Sequence, residues 1–140
     1  MAAAREDRII DLDAVLEFCG SALDGPEDAL LIEGVGGVMV PLDDRHTVLD
    51  WIARLRLPTL LVVGSYLGSL SHSLTAVQAL TTRGVEIEAV VVSESIASPV
   101  PLDETADTIA RFLPGLEVFC APRDDSQAIA GLADFIFPPT

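Results

Sequence analysis

The sequence predicts an α/β fold built on a mainly parallel sheet, and three observations carry that prediction. Helical and strand-like segments alternate along the chain. The strand-like runs are continuously apolar, the pattern of strands covered by helices on both faces. No internal repeat, low-complexity tract or compositional break divides the 140 residues, so a single domain over 1–140 is expected.

The elements follow in order. Residues 9–22 place Ile9, Leu12, Val15, Leu16 and Cys19 at helical spacing. "GPED" punctuates, and "ALLIE" (29–33) reads as a short strand. A brief helix over 47–55 stops before Pro58, and "TLLVVG" (59–64) reads as a second strand, apolar on both faces. Residues 69–84 read as a helix with serine at its start and Gly84 as its stop. "VEIEAVVVS" (85–93) opens with alternation, Glu86 and Glu88 outward, and ends apolar. A helix over 103–113, a fourth strand over 116–121, and a turn leading to a last helix complete the chain.

Composition excludes several functions. The net charge is −14, from 22 acidic and 8 basic residues, and every basic residue is arginine. That balance argues against nucleic-acid binding, which runs on clustered cations. Without lysine, these residues hold neither a P-loop lysine nor a Schiff-base lysine. Cys19 and Cys120 lack CxxC spacing, and with His46 and His72 as the only histidines no zinc-type cluster assembles by spacing. Both cysteines read as buried free thiols. No run approaches the ~20 apolar residues of a membrane span. "MAAAREDRII" lacks the apolar centre of a secretory signal, so a cytoplasmic location without membrane contact is expected.

One stretch stands out, "LIEGVGGVMVPL" (31–42), where an apolar run ends on Glu33 and three glycines follow within four positions. A carboxylate at a strand's carboxyl end is costly to bury unless paired or bound to a cation. Glycines after it let backbone N–H groups approach anionic oxygens. Acid plus glycine turn suits magnesium and a phosphate chain. On these residues alone, a sharp turn with a solvated Glu33 at the sheet edge is the slightly better reading. In parallel α/β sheets ligands sit at the strands' carboxyl ends, which also singles out 64–68 and 93–98.

The wider sequence resembles the dethiobiotin synthetase family. The pieces that carry the resemblance are Glu33-Gly34-Val35-Gly36-Gly37, Pro41-Leu42, Asp50-Trp51, Leu57-Pro58, Val62-Val63, Leu67-Gly68, His72 and Leu74-Thr75, in that order. The match covers most of residues 9 to 125. It implies a P-loop NTPase-like fold that uses ATP and Mg2+ to close the ureido ring of 7,8-diaminopelargonic acid. In that family CO2 forms a carbamate on the diamine, the carbamate takes the γ-phosphoryl group, and the second amine displaces phosphate.

Carried onto this chain, the resemblance makes Glu33 a carboxylate that binds magnesium directly or through an intervening group. Gly34, Val35 and Gly36 become the turn beside the phosphates. Gly68, Ser69 and Ser71 correspond to the segment that touches the diamine, which in that family lies at a dimer interface. Ser93 and Glu94 fall where the base is contacted, and Pro122, Arg123 and Asp124 where a loop covers it. His72 and Trp51 read as structural or interface residues.

The sequence also departs from the family. The strand, the GxxxxGK[ST] loop, the catalytic lysine and the magnesium aspartate that open the family precede anything matched here. Ser71 and Ser93 stand where asparagines are usual, and a short hydroxyl does not reproduce the paired donor and acceptor of an amide. The chain alone is therefore expected to be inactive, because phosphoryl transfer without that loop loses most of its electrostatic stabilisation. Three readings stay open: a subunit needing a P-loop-bearing N-terminal half on another chain, a non-catalytic binding or regulatory relative, and a fragment. Unpaired sheet edges associate, so a partner or a homodimer is expected.

Overall fold

The computed structural model describes residues 2–138. Its elements are α1 (Ala2–Arg5), α2 (Leu12–Leu23), α3 (Val48–Leu55), β1 (Thr59–Gly64), α4 (Ser69–Thr82), β2 (Ile87–Ser93), α5 (Leu102–Phe112), β3 (Glu117–Ala121), a 3-10 turn (Ser126–Ile129) and α6 (Ala130–Ile136). The strands form one parallel sheet in the order β1-β2-β3. The α/β class with a parallel sheet and helices around it is therefore the observed architecture.

Helix boundaries follow local chemistry. The Asp11 carboxylate accepts from the amides of Asp13 and Ala14 and so starts α2. Asp50 accepts from both the amide and the hydroxyl of Thr47, each at 2.8 Å, which closes a capping box at the start of α3. The first two amides of α3 donate to the carbonyls of Val40 and Val38. That seats the segment after the glycine turn on the helix start.

Strand alternation sorts the sheet's faces. Leu61 and Val63, Val90 and Val92, and Val118 and Cys120 point into one core with Val77, Leu80, Ala106 and Ile109 of α4 and α5. Leu80 and Ile109 are fully buried, and each such side chain contributes about 1.5–3 kcal/mol. On the other face Phe119 packs against Phe135 of α6, ring centroids 5.3 Å apart, and Ala89 and Val91 are buried. β2, in the middle, is thus covered on both faces, which is why it reads as an unbroken apolar run. Val62 of β1, on that second face, is 64% exposed.

One expected element is absent. Residues 29–33 form no strand; Leu31 is 80% exposed, and no described strand lies beside the segment. A strand is defined by the ladder it joins, and apolar character alone cannot supply the neighbour. The sheet of the described residues accordingly has three strands, where the sequence suggested a fourth. The short α1 carries no apolar periodicity by which sequence could announce it.

Candidate functional site

The three strands end level. Gly64 pairs with Ser93, and Ser93 with Ala121, so the carboxyl edge of the sheet is a straight sill carrying three loops. Those loops hold most of the residues singled out from sequence.

The first loop, after β1, is drawn toward the second. The Ser65 amide donates to the Ser95 hydroxyl at 3.1 Å, and the Ser95 amide donates to the Ser65 hydroxyl at 3.0 Å. The Ser98 hydroxyl reaches the Ser65 carbonyl at 2.6 Å. Ser65 is 1% exposed, so this clasp satisfies polar groups that burial would otherwise penalise. Gly64 makes room for it: a Cβ there would lie 2.9 Å from Ser95 Oγ and 2.7 Å from Tyr66 Cδ1. Sequence reasoning missed the clasp. Its only signal is a serine within three residues of each apolar run.

Farther along the first loop, Gly68 caps α4 and leaves Ser71 exposed, whereas Ser69 is buried and its carbonyl accepts from the Ser73 hydroxyl at 2.7 Å. Of the three residues matched to a diamine contact, only Gly68 and Ser71 therefore face solvent. His72 is exposed and its Nδ1 lies 3.0 Å from the Tyr66 hydroxyl.

The second and third loops interlock through Glu94 and Arg123. The Glu94 amide donates to the Ala121 carbonyl at 3.0 Å, extending the β2–β3 ladder by one rung. The Arg123 amide donates to Glu94 Oε2 at 2.8 Å, and Arg123 Nη2 donates to the Glu94 carbonyl at 3.0 Å. Ser93 is exposed beside them, Pro122 is half-buried, and Asp124 takes a left-handed backbone at φ 62°. Resemblance groups these residues at one site; of them, hydrogen bonds join Glu94 to Arg123.

The glycine turn stands apart from that cluster, and among the described residues no hydrogen bond links it to the strand-end loops. Glu33 is exposed, as is Val35. A Cβ on Gly34 would lie 3.1 Å from Val48 and 3.5 Å from the Trp51 ring. Gly36 has φ +75°, and its Cβ would meet Val40 Cγ2 at 2.8 Å, so only glycine fits there without strain. The Val40 amide closes the turn on the Gly37 carbonyl at 3.0 Å. Trp51 Nε1 is buried behind the turn with no partner among the described residues.

The fit to magnesium and a nucleotide is partial and specific. Among the described residues no group of three or more His, Cys, Asp or Glu could hold a metal. Magnesium, however, keeps several waters and is bound through one or two carboxylates plus substrate phosphates. A single exposed carboxylate beside an open glycine turn suits that chemistry. The site loops carry one cation, Arg123.

Other titratable groups lie outside this edge. Asp43 accepts from His46 Nδ1 at 2.8 Å and from the amides of Arg45 and His46. These bonds, the imidazole's first, lower its pKa to about 2. Asp50 is held below the usual carboxylate range mainly by the Thr47 amide and hydroxyl, with Arg83 adding a contact at 2.7 Å. Burial pushes the Cys120 thiol up, and Asp103 and Asp107 add to that. Both cysteines are free thiols, Cys19 buried and Cys120 half-buried, so neither is poised as a nucleophile.

Comparison with known proteins decides the lineage. Residues 1–124 match the family model described as an AAA domain. This chain belongs to the AAA domain family.

Within the curated proteins, this AAA domain chain is similar to ATP-dependent dethiobiotin synthetases. It is 49% identical to that of Acidiphilium cryptum (strain JF-5) over 113 residues, 81% of this chain and 51% of the relative. The enzyme of Methylobacterium nodulans is 46% identical over 134 residues, 94% of this chain and 59% of the relative. That of Caulobacter sp. (strain K31) is 47% identical over 131 residues, 94% of this chain and 56% of the relative. The chain thus spans little more than half the length of the relatives it matches. No helix among its described residues is long and apolar enough to cross a membrane.

Proposed function

We propose that these 140 residues build the metal- and base-facing part of a dethiobiotin synthetase, acting in biotin synthesis. The observation that carries the reading is the level sill of Gly64, Ser93 and Ala121, whose loops present Gly68, Ser71, Ser93 and Arg123 at the carboxyl edge where α/β sheets bind ligands. The printed name of the relatives, ATP-dependent dethiobiotin synthetase, supplies the chemical class.

In this reading Glu33 takes magnesium, and the turn from Gly34 to Gly36 offers backbone amides to phosphate oxygens. Ser93, Glu94 and Pro122 to Asp124 border the base. Gly68 and Ser71 meet 7,8-diaminopelargonic acid, with Ser69 fixing the helix start beneath them. When bound, the nucleotide and metal would supply the phosphoryl activation; this chain's part is to hold and orient them.

Cations are short at this edge, because the sequence has no lysine and phosphoryl transfer draws most of its rate from positive charge around the phosphates. The P-loop and its lysine therefore come from outside these 140 residues, on another chain or a further segment. β1, with Val62 open, and the unpaired apolar segment 29–33 are the surfaces such a piece would cover.

The test is dethiobiotin formation from 7,8-diaminopelargonic acid, bicarbonate and ATP with magnesium, by the assembly as purified from its source. Glu33→Ala is expected to lower kcat by about 100-fold with the circular dichroism spectrum unchanged. An assembly that binds ATP and forms no dethiobiotin would overturn the catalytic reading in favour of a binding relative.

A further inference from the structure

We infer that Ser65 and Ser95 are positioning residues whose clasp couples the first two loops, so that diamine and nucleotide each bind more tightly when the other is present. The inference rests on the reading above, which sets the diamine on the loop after β1 and the base on the loop after β2.

Among the described residues, the hydrogen bonds that cross between these two loops all end on Ser65. Its amide donates to the Ser95 hydroxyl, its hydroxyl accepts from the Ser95 amide, and its carbonyl accepts from the Ser98 hydroxyl. Amide, hydroxyl and carbonyl of one residue are thus committed across the gap. The ladder between β1 and β2 ends at Gly64 and Ser93, so beyond it this clasp is what ties the loops. Tyr66, the next residue, binds the start of α4: its carbonyl accepts from the Ser69 amide at 2.9 Å, and its hydroxyl lies 3.0 Å from His72 Nδ1. On the other side Ser95 directly follows Glu94, which is fixed by Ala121 and Arg123. A bonded path therefore runs from the first turn of α4 to the third loop.

The burial along that path sets the sign of the coupling. Its ligand-facing ends, Ser71 and Ser93, are exposed, whereas its joint, Ser65, is buried. Exposed loop residues lose conformational entropy when a ligand immobilises them. A buried joint whose polar groups are all bonded does not let one loop be immobilised without restraining the other. The first ligand therefore meets part of the ordering cost that the second would face, which is positive coupling without any rearrangement of the fold. By linkage the effect is reciprocal: the factor by which the diamine tightens the nucleotide is the factor by which the nucleotide tightens the diamine.

The test is calorimetry on the purified native assembly, titrating the β,γ-methylene analogue of ATP with magnesium, with and without saturating 7,8-diaminopelargonic acid. Bicarbonate is left out, so that binding alone is read. In the wild type the diamine is expected to tighten the nucleotide by at least about fivefold. Ser95→Ala is expected to bring that factor below about twofold while each ligand alone binds as in wild type. Ser95→Thr, which keeps the hydroxyl, is expected to retain the coupling. Should Ser95→Ala not fold, Ser98→Ala removes the remaining bond to Ser65 and is expected to lower the factor in the same direction. Wild-type binding in which neither ligand affects the other overturns the inference and leaves the functional reading standing. So does a Ser95→Ala or Ser98→Ala protein that binds both ligands more weakly yet keeps the full factor, the mark of a merely structural role. A Ser95→Thr protein as uncoupled as Ser95→Ala overturns the assignment of the coupling to the hydroxyl. Failure of the wild type to bind the nucleotide or the diamine alone overturns the functional reading itself, and this inference with it.

Discussion

Ser65 and Ser95 exchange hydrogen bonds, each amide donating to the other's hydroxyl at 3.1 and 3.0 Å. Thirty residues separate them in sequence, yet the exchange fixes the first residue beyond β1 to the second residue beyond β2. The loops of the candidate site are therefore held by side-chain to backbone bonds where the ladder of the sheet has run out.

Removing the Ser95 hydroxyl leaves the amide of buried Ser65 unsatisfied, and removing the Ser65 hydroxyl leaves the amide of half-buried Ser95 unsatisfied, each costing about 1–3 kcal/mol. Ser65→Ala and Ser95→Ala should each lower the unfolding free energy by about that amount in urea titrations. The double variant should lose less than the sum, since both hydroxyls serve one clasp. Strict additivity would mean the two bonds are not coupled.

Gly64→Ala attacks the same clasp sterically. Its new methyl would sit 2.9 Å from Ser95 Oγ and 2.7 Å from Tyr66, so overpacking of about 1–3 kcal/mol is expected. Hydrogen exchange should speed first at the amides of Ser65 and Ser95; an unchanged rate there would contradict the account.

The glycine turn separates two kinds of glycine. Gly36→Ala forces a side chain into a left-handed backbone and against Val40, and about 1–2 kcal/mol of stability should be lost. Gly37→Ala meets nothing within 4 Å and should fold as well as wild type. Thermal unfolding of the two variants distinguishes them, and equal destabilisation would sink the distinction.

Acid should loosen the turn closed by Asp43. Its folded pKa, about 2, lies below the ordinary carboxylate value, 3.8, so the stability it contributes is present above that ordinary value and is lost as pH falls toward 2. Wild type should lose stability between about pH 4 and pH 2 more steeply than Asp43→Asn. Identical acid profiles would show that the bonds from His46 and the two amides carry no linkage.

Much of this architecture was legible in the sequence, for identifiable reasons. β2 announced itself because both its faces are buried, and α4 because a serine at its start and Gly84 at its stop mark its ends. Residues 29–33 misled because apolarity reports burial potential, whereas a strand also needs a neighbour. Resemblance gathered Ser93, Glu94 and Arg123 on one edge, but their interlocking depends on register between β2 and β3, which no local pattern encodes. The Ser65–Ser95 clasp was invisible for the same reason.

The central claim is that the carboxyl edge at Ser93 and Arg123 receives a nucleotide. Photolabelling the native assembly with 8-azido-ATP and magnesium, followed by peptide mapping, tests it most directly. The account predicts label within residues 93–98 or 122–125, competed away by unlabelled ATP. Competable label confined to the opposite, amino-terminal edge of the sheet, around residues 83–86, would contradict it.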